Sequence, residues 1–288
     1  MKSKSYAKVN IFLKITGTKE YNGSTYHTLN SRFMLVKNLY DTIEFVPQKC
    51  DSFTIEGLDI PKEQNIIYKA YKALNAHTGD LDIIEFFYNH KVVVKKNIPF
   101  GAGLGGGSSN AATFMNMVKE VCNLQVSTEA LANIGATIGA DVPFFIYGYN
   151  SANVSGFGEV IEEFEEEPLN LEIFTPDIHC NTALVYKAFK ENYLKDSKPN
   201  SGASYMLNSS LDILKSTTDA TKLNDLYKAA LLIYPELKEY EKEGYYFSGS
   251  GSSFFKVLDE TSYLLSTQNN KERLLSSLQH AKKSMKEV

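Results

Sequence analysis

The run Pro99-Phe100-Gly101-Ala102-Gly103-Leu104-Gly105-Gly106-Gly107-Ser108-Ser109-Asn110-Ala111-Ala112 concentrates glycine between a strand-like and a helix-like segment. Glycines permit positive φ and carry no Cβ, so successive backbone N–H groups can converge on an anion; a following helix adds its unpaired N-terminal N–H groups and the positive end of its dipole. The chemistry is phosphate binding. A carboxylate follows in Gly139-Ala140-Asp141-Val142-Pro143, where small neighbours admit a substrate and Pro143 disfavours a helix continuing into it. Asp141 could take a proton from an alcohol there, or serve as a local turn or capping aspartate.

Three kinds of glycine loop compete. Gly101, Gly103 and Gly106 satisfy G-x-G-x-x-G, but a dinucleotide fold also needs an acidic residue about 20 residues on, at the end of the next strand. Glu129 falls at a helix start instead. A Walker A loop closes with G-K-[ST], whereas this run closes with Gly107-Ser108-Ser109. A flexible linker is disfavoured, because linkers seldom join a β segment to a strongly periodic helix.

Upstream, Ala7, Val9, Ile11, Leu13 and Ile15 alternate with Lys8, Asn10, Phe12 and Lys14, the pattern of a half-buried strand with Lys8, Asn10 and Phe12 on one face. Phe33 to Val36 and Thr42 to Val46 read as two further strands with Asn38 to Asp41 as the turn, and Asn65 opens a helix through Leu74. Ile83 to Tyr88 and Val92 to Lys95 read as a hairpin feeding the glycine loop. Ala111, Met115, Val118 and Cys122 form one stripe of the helix that the loop opens, and Ser127 with Glu129 starts another. The acidic stretch Glu162 to Glu167 before Pro168 marks a domain border and reads as a solvated loop. Beyond it come a strand at Leu171 to Phe174, helices near Ala183 to Asn192, Tyr205 to Leu214 and Leu223 to Ile233, and the run Ser248-Gly249-Ser250-Gly251-Ser252.

Composition narrows the partners. A chain of 288 residues with net charge −4 and no basic tail is not built to neutralise nucleic-acid phosphates, so small molecules are the expected partners. Arg32 and Arg273 are the only arginines, so a phosphate site would rely on backbone N–H groups and lysine, with or without a metal. Cys50, Cys122 and Cys180 suit neither a disulfide framework nor a zinc site. With no signal sequence and no apolar run long enough to span a membrane, a cytoplasmic protein is expected.

Pro-x-x-x-Gly-Leu-Gly followed by Ser-Ser-x-Ala-Ala resembles the phosphate loop of the GHMP small-molecule kinases, the family of galactokinase, homoserine kinase and mevalonate kinase. Further segments match in the same order: Tyr6-Ala7-Lys8-Val9-Asn10, Tyr26-His27-Thr28-Leu29, Gly139-Ala140-Asp141-Val142-Pro143, Gly156-Phe157-Gly158-Glu159, Asn224-Asp225-Leu226 and Gly249-Ser250-Gly251. The resemblance runs over residues 5 to 258, and several ordered segments are far more specific than one glycine loop. It implies an α+β chain with the two-domain GHMP kinase fold. A ribosomal-protein-S5-like ATP-binding domain would occupy 1–158, and a ferredoxin-like α/β sandwich domain 159–288.

The resemblance also implies roles. Lys8 and Asp141 would be the catalytic pair, the carboxylate taking the hydroxyl proton and the ammonium polarising the site. Asn65 and Lys96 would line the base and ribose of ATP; Pro99, Gly101, Gly103, Leu104, Gly105, Gly106, Gly107, Ser108 and Ser109 would hold its triphosphate. Mg²⁺ would bridge the phosphate oxygens, with Ser109 as a ligand. Asn10, Tyr26, His27, Thr182 and Tyr186 would form a pocket for a cytidine diphosphate alcohol, the cytosine stacking between Tyr26 and Tyr186 and hydrogen bonding to His27. Glu159 is a second carboxylate, with an ordinary loop role. A monomer or weak homodimer is expected.

The chain departs from the family pattern in places. Asn22-Gly23-Ser24-Thr25-Tyr26-His27 lengthens the loop before the pocket by two residues, Tyr227 stands where Glu is usual, and Asn181-Thr182 replaces Pro-Thr. The rival readings are a homoserine, mevalonate or sugar kinase of the same family, and a non-catalytic nucleotide sensor on a kinase scaffold. Retention of both Lys8 and Asp141 argues against the sensor.

Overall fold

The computed structural model describes residues 1–21 and 23–258; residue 22, in the lengthened loop, and residues 259–288, the end of the expected second domain, lie outside the described residues. The first half contains β1 (Lys2–Tyr21), β2 (Ser24–Pro47), β3 (Ile55–Glu56), α1 (Ile66–Thr78), α2 (Leu81–Tyr88), β4 (His90–Lys95), α3 (Gly106–Val121), α4 (Thr128–Ala136) and α5 (Val142–Tyr147). The hairpin β5 (Ser151–Ser155) and β6 (Val160–Glu163) completes its sheet. Then follow β7 (Leu171–Phe174), α6 (Thr182–Asn192), α7 (Ser210–Lys215), α8 (Ala220–Leu223), α9 (Asp225–Ile233), β8 (Tyr246–Phe247) and β9 (Phe254–Val257). The architecture is α+β, as expected.

The larger sheet runs β3-β4-β2-β5-β6 with β1 also on β2, and β7-β9-β8 form a smaller sheet. Phe33 pairs with Asn10 of β1 and Ala152 of β5, so β2 is bonded on both edges at the level of the site. The expected turn at Asn38 to Asp41 is absent: β2 continues, and Lys37–Leu39 bulge out between the pairs Ala7↔Val36 and Tyr6↔Tyr40. A long strand absorbs the polar residues because Asp41 is needed inside, where it accepts bonds from the Asn97 and Ile98 backbone.

A second register shift between Asn10 and Phe12 changes the reading of β1. Ala7, Val9, Ile11 and Phe12 pack in one hydrophobic cluster, Leu13 and Ile15 in another. The single-face alternation therefore breaks at the bulge. Nor is the polar face solvated, since Lys8 and Asn10 are both buried.

The expected strand at Ile83 to Tyr88 is a helix. Asp80 caps α2 by accepting from Asp82 N at 2.9 Å, and Ile83 and Phe87 are buried one turn apart. A short apolar run fits either period, and the cap decides it. Helices α1, α3 and α4 follow the sequence, Asn65 accepting from Ile67 N at the start of α1 and Ser127 from Ala130 N at the start of α4, whereas α5 was not expected and starts with Pro143 in its first turn.

The acidic stretch is also not a solvated loop throughout. Glu166 folds back onto β2, pairing with the buried Arg32 at 3.1 Å and accepting from Ser151 and Ser210. The second half docks on β1 as well: Leu13 forms a bridge to Asn224, and Asp225 pairs with Lys14 and accepts from Ile15 N at 2.9 Å.

Candidate active site

The glycine loop connects Lys96 to α3 and turns under β1. Gly105, in the left-handed region at φ 67°, is the N-cap of α3. A Cβ at Gly105 would meet the Lys8 and Phe145 side chains at 3.0 Å, and one at Gly103 would collide with the Ser248 carbonyl. Close approach of the chain's own parts, not only of a ligand, requires these glycines. The loop is pinned on both sides: Lys8 N donates to the Leu104 carbonyl at 3.0 Å and Ser248 Oγ donates to Gly103 at 3.0 Å. The His179 ring lies against Gly101.

Beside this loop the Lys8 ammonium lies 3.2 Å from Asp141 Oδ2, donates to Asn10 Oδ1 at 2.7 Å and sits 4.2 Å from the centre of the Phe33 ring. Asp141 is the N-cap residue of α5 but makes no capping bond with its side chain. Its carboxylate is thus turned to Lys8 and the cavity rather than to the helix.

That cavity has a volume of about 740 Å³ and is lined by the glycine loop, Lys8, Asn10, Asp141, Lys96 and an aromatic wall. His27 and Tyr186 rings are 5.2 Å apart, with Phe189 behind, and Tyr26 packs on Phe157 at 5.2 Å. Burial, with Lys190 nearby, lowers the pKa of His27 below its ordinary value, so the ring is neutral at pH 7. Its Nε2 is buried with no hydrogen-bond partner among the described residues. Burial raises the Tyr186 phenol strongly, with Asp141 adding to the shift. Thr182 Oγ1 bonds Ser250 Oγ at 2.8 Å on the same wall.

The structure brings Lys8, Asn10, Tyr26, His27, Lys96, Pro99, Gly101 to Ser108, Asp141, Thr182 and Tyr186 to one cavity. Two expected residues are not on its surface. Asn65 is buried and spends its amide oxygen capping α1, whose Ile66 does line the cavity. Ser109 is 1% exposed and accepts a bond from Ser5 Oγ at 2.7 Å, so its neighbour Ser108 is the serine at the surface. Lys96 is half structural: it donates to Asp41 and to the Ile98 carbonyl, both at 2.6 Å, and burial lowers its pKa against the pull of Asp41. Glu159 accepts from Phe157 N and closes the turn after Gly156, the loop role expected.

Some contributors were not assigned by sequence. Phe33 under the Lys8 ammonium gave no signal in a strand of ordinary β residues. Ser248 and Asn224 hold the loop and the run after β8, Asn224 Nδ2 donating to the Phe247 and Gly249 carbonyls at 3.0 and 2.8 Å. Asn224 stands in a segment that matches the family with no role attached, and Ser248 directly precedes another. Another concavity of about 850 Å³ lies among His77, Asp80, Cys122 and Asn133 and shares no lining residue with the glycine-loop cavity. Burial pushes the Cys122 thiol up to about 11, which leaves it a poor nucleophile.

Comparison with known proteins agrees with this geometry. The GHMP kinases N terminal domain matches residues 65–149. The chain is 52% identical over 256 residues to 4-diphosphocytidyl-2-C-methyl-D-erythritol kinase of Sulfurovum sp. (strain NBC37-1), covering 88% of this chain and 98% of that protein. It is 49% identical to the enzyme of the same name from Sulfurimonas denitrificans, covering 89% and 97%. A crystal structure of 4-(cytidine 5'-diphospho)-2C-methyl-D-erythritol kinase superposes with TM-score 0.69 at 28% identity, covering 90% of each chain. Methanococcus jannaschii mevalonate kinase, at 14% identity, TM-score 0.59 and coverage of 97% and 95%, shares the fold.

Proposed function

The chain belongs to the 4-diphosphocytidyl-2-C-methyl-D-erythritol kinase family of GHMP kinases, and from that premise we infer that it transfers a phosphoryl group from ATP to the 2-hydroxyl of 4-diphosphocytidyl-2-C-methyl-D-erythritol. The products are the 2-phosphate and ADP, in the non-mevalonate route to isoprenoids. The observation that carries the assignment of roles is the Lys8–Asp141 pair at 3.2 Å beside the N-terminus of α3.

The carboxylate of Asp141 takes the proton of the acceptor hydroxyl as the oxygen attacks phosphorus. Lys8, held by Asn10 and Phe33, supplies positive charge where negative charge develops on the transferring group. The backbone of Gly101 to Ser108 and the start of α3 cradle the triphosphate. Tyr26, His27 and Tyr186 take the cytosine, the neutral His27 ring forming part of the aromatic wall against Tyr186. Asn10 serves this pocket through Lys8, since both ends of its amide are engaged by protein.

Mg²⁺ bound to ATP would neutralise charge on the phosphate oxygens. Among the described residues no cluster of three His, Cys, Asp or Glu could hold a metal. Ser108 and Asp141, both lining the cavity, are the residues that would hold the ion beside the phosphates. The two functional units divide in the segment after β6, because the first sheet continues to Glu163 and a border at 158/159 would cut the β5–β6 hairpin. Among the described residues no helix is long and apolar enough to cross a membrane, and a cytoplasmic location suits a pathway of phosphorylated metabolites.

A coupled ADP-release assay tests the reading, with the cytidine diphosphate alcohol beside galactose, homoserine and mevalonate. Turnover dependent on the first compound alone is expected. Preference for one of the other three would give the chain to a rival kinase, and ATP binding without any turnover would revive the sensor.

A further inference from the structure

The bonds behind Lys8 form a directed relay. Asn10 Oδ1 accepts from the Lys8 ammonium at 2.7 Å, Asn10 Nδ2 donates to Ser31 Oγ at 2.9 Å, and the Ser31 hydroxyl donates to the Phe12 carbonyl. A hydroxyl carries one hydrogen. With that hydrogen committed to Phe12, the Ser31 oxygen offers only lone pairs, so it must face the NH₂ end of Asn10 and leave the amide oxygen toward Lys8. Ser31 is 0% and Asn10 2% exposed, so solvent does not compete for either group.

The relay begins where β1 slips register against β2, between Asn10 and Phe12. Ser31 and Phe33 are alternate residues of β2 and project to one face, Ser31 toward the Asn10 amide and Phe33 under the ammonium. Between them Arg32 is locked to Glu166. The segment that carries the relay is thus fixed from both sides of the strand.

We propose that Ser31 is a positioning residue for phosphoryl transfer, setting the Asn10 amide and through it the Lys8 ammonium against Asp141. The proposal rests on the roles given above to Lys8 and Asp141. Ser31 does not reach substrate; it acts only through Asn10. Removing its oxygen leaves a buried amide donor without an acceptor, and the ammonium loses a rigid support.

Steady-state ADP release with the cytidine diphosphate alcohol tests it on wild type, Ser31→Ala, Ser31→Thr, Asn10→Ala, the Ser31→Ala/Asn10→Ala double variant and Asp141→Asn, each checked for a cooperative melt. Ser31→Ala is expected to lower kcat about tenfold with KM for ATP within about twofold, because the interaction acts on the reacting groups and not on nucleotide binding. Ser31→Thr keeps the hydroxyl and should restore kcat to within about threefold of wild type. In the Asn10→Ala background the same Ser31→Ala change should cost less than about twofold, the non-additivity expected of residues acting in series.

Wild-type kcat in folded Ser31→Ala, or an equal loss with and without Asn10, would overturn the proposal. So would a Ser31→Thr variant that melts normally yet is as slow as Ser31→Ala. Should Ser31→Ala fail to fold, Ser31→Cys, of similar size with a weak hydrogen-bonding group, carries the test with the same tenfold expectation. Full turnover by Asp141→Asn would instead remove the underlying reading, whereas an inactive Asp141→Asn beside a normal Ser31→Ala removes this inference alone.

Discussion

The guanidinium of Arg32 lies 3.1 Å from Glu166 and 3.4 Å above the Phe164 ring, wholly buried, tying the strand behind the active site to the acidic connection that follows β6. Asn153 Oδ1 and the Met206 carbonyl accept its remaining N–H groups at 2.7 and 3.1 Å. The pair is therefore a buried ion pair with most of its hydrogen-bonding capacity met.

Breaking it from one side leaves a buried charge without its partner. Arg32→Met and Glu166→Gln are each expected to lower stability by about 3–5 kcal/mol, read as a shifted denaturant midpoint. The Arg32→Met/Glu166→Leu double variant should lose less than the sum. Single variants that unfold at the wild-type midpoint would show that Glu166 is solvated in solution, as its sequence context had suggested.

Asp141→Asn keeps the shape of the side chain but removes the carboxylate proposed above as the proton acceptor. Turnover should fall about 10²–10⁴-fold while ATP affinity, measured by calorimetry, stays close to wild type. A parallel loss of ATP binding would mean that Asp141 holds the nucleotide and not the hydroxyl proton.

His27 has a folded-state pKa below its ordinary value, lowered first by burial and then by Lys190. The unfolded chain therefore binds the proton at higher pH than the folded one. The sign follows: the stability tied to neutral His27 is complete above about pH 6.5 and is lost as pH falls through the lowered folded value. On the function proposed above, the same protonation should raise KM for the cytidine diphosphate alcohol on acidification, because it puts a charge into the aromatic wall that His27 forms with Tyr186. His27→Gln should flatten both dependences below pH 6.5, compared by thermal melts and by KM across that range. A His27→Gln profile that overlays wild type would exclude His27 as their source.

Tyr227 is fully buried against Phe247 and Phe254, and its hydroxyl has no partner among the described residues. Tyr227→Phe removes an unpaid desolvation and keeps the ring, so the melting midpoint should rise, by about 1 kcal/mol in equilibrium unfolding. A drop of similar size would reveal a partner for the hydroxyl in solution.

Local signals were legible wherever one segment carried them. The glycine run with its following helix, the caps at Asn65 and Ser127 and the strand at Ala7 to Ile15 all stand where the sequence indicated. Errors arose where two local readings were equivalent. Ile83 to Tyr88 could satisfy strand or helix, and the polar residues from Asn38 to Asp41 resembled a turn until Asp41 proved to be a buried acceptor. Ser109, in the middle of the best motif, turned inward to Ser5, because its place on α3 faces β1 rather than the cavity.

By itself the sequence determined the kind of chemistry: a backbone cradle for phosphate without Walker lysine or ribose acid, and a carboxylate kept clear by small neighbours and a proline. These are properties of contiguous residues, governed by allowed φ and by helix starts. Tertiary structure decided which lone residues come together beside that cradle. Only the fold seats Lys8 between Asp141, Asn10 and Phe33, sends Asp141 to Lys8 instead of its own helix, and turns Glu166 from a surface acid into the partner of Arg32. Such contacts depend on burial and on distances across strands, which no short stretch of chain encodes.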